Sequence, residues 1–267
     1  MQRSPGTSSR LRGFAAIVMV AAPVALHAQS SEKANAALGL IDQNQCEPAV
    51  EIINQAMVAG EPKSFYIAGQ LFQYGFCLVQ NVPRSTRLYE RGALLGDRTS
   101  ARTLAMMHAR GDGIAQSYQQ AGRWYAISDG TNKDGTAEKA IDAYKEPDAL
   151  VKTYIEAVND TAVAMMAYPR EAIDRGVTGT VKVRFDPRFA RVTLVKSTDS
   201  TGSPAAGPPN RHDFERALLA GYADAIRLLP KPPMSPNVDN SVEREVAFER
   251  KVYIANEPEG LQSLPRS

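Results

Sequence analysis

The first half of the chain repeats itself at an interval of 36 residues. At this offset residues 68–75 align with residues 104–111, and Gly75 falls on Gly111. A period of this length is typical of helical-repeat proteins, in which each unit is a small supersecondary element. A single unit cannot bury its apolar side alone, so neighbouring units must stack. The period therefore predicts a short solenoid rather than one closed globule.

Each unit is predicted to contain two short helices. In the clearest unit, small and apolar residues recur at helical spacing on one face of each helix: Ala101, Leu104, Ala105 and His108, then Ala121, Trp124 and Tyr125. Gly111-Asp112-Gly113 lies between the two groups, and glycine at this place ends a helix. The aromatic pair of the second helix is expected to be its main packing group.

The spacing and these residues resemble the Sel1-like repeat, a relative of the tetratricopeptide repeat. The match is good over 104–125 and weaker over 65–95, where Cys77 stands in place of the second glycine. It is weakest over 30–60. The resemblance implies helical repeats over residues 29–130 and a concave surface that binds another protein or stabilises an assembly.

The resemblance implies no chemistry for the polar residues of the array. His108 aligns with Phe72, which predicts a packing position, although a functional imidazole is the alternative. Asp112 lies between two glycines and is interpreted as a turn residue before an acid catalyst. We predict no catalytic residue in this half of the chain.

Cys46 and Cys77 are the two cysteines of the chain. In an exported protein such a pair can form a lasting disulfide, and a free, reactive thiol is the alternative. On the repeat alignment both cysteines fall in turns between the first and second helices of adjacent units, which lie on one edge of the stack. With few histidines and no ligand spacing, we predict a disulfide and no metal site.

Residues 1–28 have the form of a secretory signal peptide. Arg3, Arg10 and Arg12 precede an apolar run over 14–26, which is shorter than the roughly 20 residues of a membrane-spanning helix. The prediction is a cleaved leader and a periplasmic protein. The alternative is an uncleaved leader that anchors the chain in the inner membrane, facing the periplasm, which is the only membrane contact we expect.

The leader also explains the charge of the chain. The sequence has 31 basic and 29 acidic residues, and residues 1–28 contribute three arginines and no acid. The remainder therefore has 28 basic against 29 acidic residues and is nearly neutral. Attraction to nucleic acid is not expected from such a balance.

After residue 130 the repeat fades and a different module begins. Helical spacing over 147–165 predicts a capping or linker helix within 131–165, with Lys152, Glu156 and Asp160 on its polar side. The order that follows is strand 181–185, strand 192–196, helix 213–227 and strand 243–254. The predicted fold class is α+β and multidomain, a helical solenoid followed by a small αββαβ module with an antiparallel sheet.

Residues 166–255 resemble the C-terminal domain of TonB-family proteins. The resemblance rests on Tyr168-Pro169, on the helix expected after them, and on Gly176 and Gly179 before the first strand. In that family the domain binds short extended peptides of outer-membrane receptors by adding a strand to a sheet edge. Residues 256–267 are expected to form a flexible tail.

The last strand is the edge that the resemblance favours for a peptide. Its predicted residues are Arg244, Val246, Phe248, Arg250 and Val252. The alternative is that the charges of this strand only protect an exposed edge from aggregation. The sequence leaves both interpretations open.

The chain contains no recognisable catalytic motif: no Gly-x-Ser-x-Gly elbow, phosphate loop or His-Glu-x-x-His helix. His212 and Asp213 can be drawn as an acid–base pair, but at a helix start they are more simply capping residues. We therefore expect a non-enzymatic adaptor without catalytic residues or cofactor, with a protein or peptide partner in the cell envelope such as an outer-membrane protein. The alternative is an anchored component of TonB-type, energy-coupled outer-membrane transport.

Overall fold

The computed structural model describes residues 24–130, 144–169, 176–199, 210–235 and 239–248. Six helices in three consecutive pairs form its first part: α1 Val24–Asp42, α2 Cys46–Val58, α3 Pro62–Tyr74, α4 Val82–Leu94, α5 Arg98–Arg110 and α6 Tyr118–Ser128. Helices within a pair pack closely, and α2 meets α3 as α4 meets α5. The predicted stack of helix pairs is confirmed.

Helix ends explain why the 36-residue period is visible. Helices α3 and α5 end on Gly75 and Gly111, whose φ angles of 70° and 78° lie in the left-handed region. Only glycine adopts this region without a steric cost, so the position recurs as glycine in both units. The turn then leads to a capped second helix, because Asn81 and Ser117 accept a hydrogen bond from the third residue after them.

Cys77 has the backbone conformation of the glycine that it replaces. Its φ is 57°, close to the 70° of Gly113 one unit later. The turn is therefore conserved in shape between the two units despite the different residue. The side chain at this strained position forms the disulfide described below.

The second part of the chain contains a long helix, α7 Pro147–Met165, and a small α/β unit. Its elements are β1 Gly179–Asp186, β2 Arg191–Asp199, α8 Asn210–Leu228 and β3 Val242–Phe248. The strands form an antiparallel sheet in the order β2-β1-β3. The predicted fold class, a repeat region followed by a three-stranded antiparallel sheet and a helix, is confirmed.

Alternation along β1 is the reason why the sheet has one buried face. Val181, Val183 and Phe185 are fully buried, and Lys182 and Arg184 lie on the opposite face. Helix α8 covers β1 and β2 on the buried side and packs extensively on α7. It begins at Asn210, three residues before the Asp213 start that the sequence favoured.

Helix α7 joins the array to the sheet instead of closing the array with a polar face. It contacts α5 and α6 on one side and α8 on another, and Tyr154, Val158 and Ala162 are fully buried. One continuous core runs from Tyr89 in α4 to Phe248 in β3. The prediction of a solvated face containing Asp160 is wrong, because Asp160 is only 9% exposed.

Several predictions concern residues outside the described ranges. These are most of the leader, the helix expected after Pro169, the edge residues Arg250 and Val252, and the tail 256–267. Within the described ranges, no helix has the length and apolar character needed to cross a membrane.

Candidate functional site

A disulfide between Cys46 and Cys77 links the first two helix pairs of the array. Their Cα atoms are 5.0 Å apart. Cys77 lies in the α3–α4 turn as predicted, whereas Cys46 is the first residue of α2 rather than part of the preceding turn. The bridge closes a loop of 31 residues between adjacent helix pairs.

His108 lies in the last turn of α5, next to the α5–α6 turn. It is half-buried, and burial lowers its pKa while a hydrogen bond to the backbone of Ala115 opposes this shift. The backbone carbonyl of His108 also accepts from Ser117 N at 2.8 Å. Asp112 in the same turn pairs with Arg110 at 2.6 Å. His108 therefore occupies a partly buried helix position and Asp112 an exposed turn position, as the sequence predicted for each.

A polar cluster connects the array to α7. Arg102 of α5 donates to the buried Asp160 carboxylate at 2.7 Å. One residue earlier on α7, Asn159 accepts from the Tyr222 hydroxyl of α8 at 2.6 Å. Burial, and secondarily the Asp160 charge, raise the pKa of Tyr125 well above its ordinary value. These contacts fix α7 against the helices on both sides.

An open groove of about 420 Å³ lies where the array meets the sheet unit. Residues from the α5–α6 turn face the proline-rich segment after α8 across it, and the Tyr118 hydroxyl donates to the Pro230 carbonyl at 2.8 Å. Lys231 is engaged with the carbonyl of Arg188. The groove is therefore partly closed by contacts within the chain.

The residues that suggested the TonB-like motif have structural roles here. Tyr168 is buried, donates to the Val177 carbonyl at 3.0 Å, and packs on Phe214 and Phe248 at ring distances of 5.6 and 5.7 Å. Pro169 follows it and is half-buried.

The two glycines of the motif also shape the backbone. Gly176 has a φ of 63°. A side chain at Gly179 would meet the Thr198 carbonyl oxygen at 2.5 Å. The motif thus positions the entry into β1.

The edge strand β3 has a buried and a charged part. Val246 and Phe248 are buried, whereas Arg244 is exposed. Glu243 is 2.6 Å from both Lys182 and Arg184 of β1, and these hydrogen bonds lower its pKa. Peptide addition at this strand stays a prediction.

The opposite edge strand, β2, exposes more apolar surface than the sequence suggested. Leu194 is 43% and Val195 is 46% exposed. Leu194 lies opposite Val183 and Lys196 opposite Lys182, so Val195 is an additional residue that forms a bulge. The alternation of Val192, Leu194 and Lys196 did not reveal the bulge, because a one-residue irregularity depends on the pairing with β1.

Among the described residues, no three His, Cys, Asp or Glu side chains are grouped as metal ligands would be. Asp213 in the first turn of α8, where an acidic side chain favours the helix dipole, pairs with Arg216, and it is not the cap because α8 begins at Asn210. Within the described residues, β2 and β3 each have a strand neighbour on one side only.

Comparison with known proteins finds distant structural likenesses only. A crystal structure of a Sel1 repeat protein from Oxalobacter formigenes is 18% identical with a TM-score of 0.36, covering 51% of this chain and 64% of that one. A protective antigen of uropathogenic Escherichia coli strains with an SLR fold is 17% identical with a TM-score of 0.35, covering 54% of this chain and 36% of that one. The chain thus spans less than two thirds of each structure.

No family model and no curated protein matches the sequence.

Proposed function

We propose that the chain is a periplasmic, non-enzymatic adaptor that binds another protein of the cell envelope. The observation that carries this proposal is the joining of a three-pair helical array to a small sheet through one core. A rigid body of this kind presents two surfaces in fixed relation, the array and the sheet. Repeat arrays use such extended surfaces for binding.

The sheet is proposed to take up an extended segment of the partner. Both β2 and β3 have a strand neighbour on one side only within the described residues. Edge strands of this kind present backbone donors and acceptors that a peptide can satisfy. The resemblance to the TonB C-terminal domain points to the same mode, and an outer-membrane protein is the proposed source of the segment.

The proposal is tested by photo-crosslinking in intact cells. A benzophenone amino acid is placed at exposed Val58 and Leu94 of the array and at exposed Val195 of the sheet. We expect crosslinks to one defined envelope protein from at least one array position and the sheet position. The matched control is exposed Phe189 in the β1–β2 turn, outside both surfaces. Equal, diffuse labelling from all four positions would contradict the proposal.

A further inference from the structure

The free edge of β2 is suited to an added strand. In the order β2-β1-β3, its hydrogen-bonding neighbour is β1 alone within the described residues. Backbone groups on the outer side of an edge strand are unpaired, and this is the side on which a peptide adds. The bulge at Val195 divides the edge into two short segments, which limits indiscriminate pairing.

The side chains of β2 supply apolar contact surface. Leu194 and Val195, both nearly half exposed, are adjacent at the middle of the strand. Alternate side chains of an added strand need such partners, because cross-strand pairs are the unit of sheet stabilisation. A bound segment with apolar residues at this place would remove both side chains from water.

The charges of β2 select the chemistry of the segment. Between Arg191 and Thr198 the strand has two cations and no acid. Lys196 lies directly opposite Lys182, and like charges in this arrangement repel each other. Lys182 is neutralised by Glu243 at 2.6 Å, whereas Lys196 has no ion pair with any described acidic residue. An acidic residue of an added strand, placed opposite Lys196, would pair with this cation as Glu243 pairs with Lys182.

The β3 edge lacks this combination. Val242–Phe248 contains two glutamates and one arginine, and its large apolar residues Val246 and Phe248 are already buried. Helix α7 also contacts β3. A second copy of the chain is likewise disfavoured at β2, because it would bring Arg191 and Lys196 to an edge that is already basic.

We infer that the β2 edge accepts an extended peptide segment in which apolar and acidic residues alternate, with an acidic side chain opposite Lys196. The inference rests on the proposed function, since it names the edge and the chemistry of the segment that the sheet takes up. The sequence favoured the last strand, β3, as the edge that binds a peptide, and the inference assigns the peptide to β2 instead.

The test uses the mature chain expected after removal of the predicted leader, residues 29–267. Two labelled eight-residue probes are compared, one alternating valine and glutamate and one alternating valine and lysine. Fluorescence anisotropy gives Kd for each probe. We expect the wild-type chain to prefer the glutamate probe. Lys196→Glu should weaken it by about tenfold and reverse the preference, because an attractive cross-strand pair becomes repulsive. Arg244→Glu on β3 is the matched control and should leave both Kd values unchanged.

Three results would overturn the inference. Loss of binding in Arg244→Glu with no change in Lys196→Glu would place the segment on β3, and uptake of a strand by the sheet would still stand. Failure of the wild-type chain to bind either probe would overturn the edge assignment together with strand addition. A dimer in sedimentation velocity that Lys196→Glu abolishes would make a second copy the occupant.

Discussion

Gly221 of α8 lies against the backbone of Ala162 in α7, and its replacement tests whether the array and sheet share one core. A Cβ atom at this position would lie 2.3 Å from the Ala162 carbonyl oxygen and 3.1 Å from its carbonyl carbon. Both are backbone atoms, so Gly221→Ala must push the helices apart. Overpacking of this kind costs about 1–3 kcal/mol, and the helix propensity of alanine returns at most about 1 kcal/mol. We therefore expect a net loss of up to about 2 kcal/mol in the free energy of unfolding, and a stability about 1–3 kcal/mol below that of a helical glycine-to-alanine change that meets no atom.

The assay is urea denaturation followed through Trp124, the single tryptophan, which lies buried in α6 within the same core. The matched control is Gly39→Ala in α1, where a Cβ would meet no atom within 4 Å. The control should be neutral or stabilising by up to about 1 kcal/mol. If Gly221→Ala is as stable as the Gly39→Ala variant, α7 and α8 do not approach as described.

Three further predictions concern other contacts. Replacing both Cys46 and Cys77 with serine should lower the free energy of unfolding by about 3–4 kcal/mol, because the loop that the bridge closes restricts the unfolded chain. Dithiothreitol should cause the same loss in the wild-type chain and no loss in the variant. Burial lowers the pKa of His108 below its unfolded value, so the unfolded state binds more protons than the folded state. The free energy of unfolding should therefore fall as the pH drops through about 6.5. Urea midpoints measured against pH should show a smaller fall in His108→Gln. Asp160→Asn removes a buried carboxylate from its contact with the half-exposed Arg102 and should lower the melting temperature, whereas Asp224→Asn at an exposed pair should change it little. Equal effects would contradict the burial of Asp160.

The repeat region was predictable because its turns depend on local conformation. Gly75 and Gly111 recur since the backbone there is left-handed in both units. The alignment of Cys77 with Gly113 left the form of this turn open, because the residue types differ, and the structure has the same left-handed backbone at both. Helix α7 was predicted with its bounds at 147 and 165 because Pro147 begins it and its apolar spacing is regular.

The features that sequence reasoning missed depend on contacts between distant segments. Asp160 carries a charge, which the sequence alone places at a solvated position. Its burial is tolerated because Arg102 of α5 pairs with it. The exposure of Leu194 follows from a bulge set by the register with β1. No signal within β2 itself distinguishes a covered strand from a free edge, because the strand order depends on the pairing with β1.

Hydrogen exchange across the sheet tests most directly the central claim that an extended segment adds to it. The mature chain is compared alone and with the valine–glutamate probe in excess, and amide exchange is followed by mass spectrometry. Added backbone hydrogen bonds slow exchange at the amides that form them. The account predicts slower exchange within Arg191–Asp199 and unchanged exchange within Val242–Phe248. Slowing confined to β3, or no slowing in either edge strand, would contradict it.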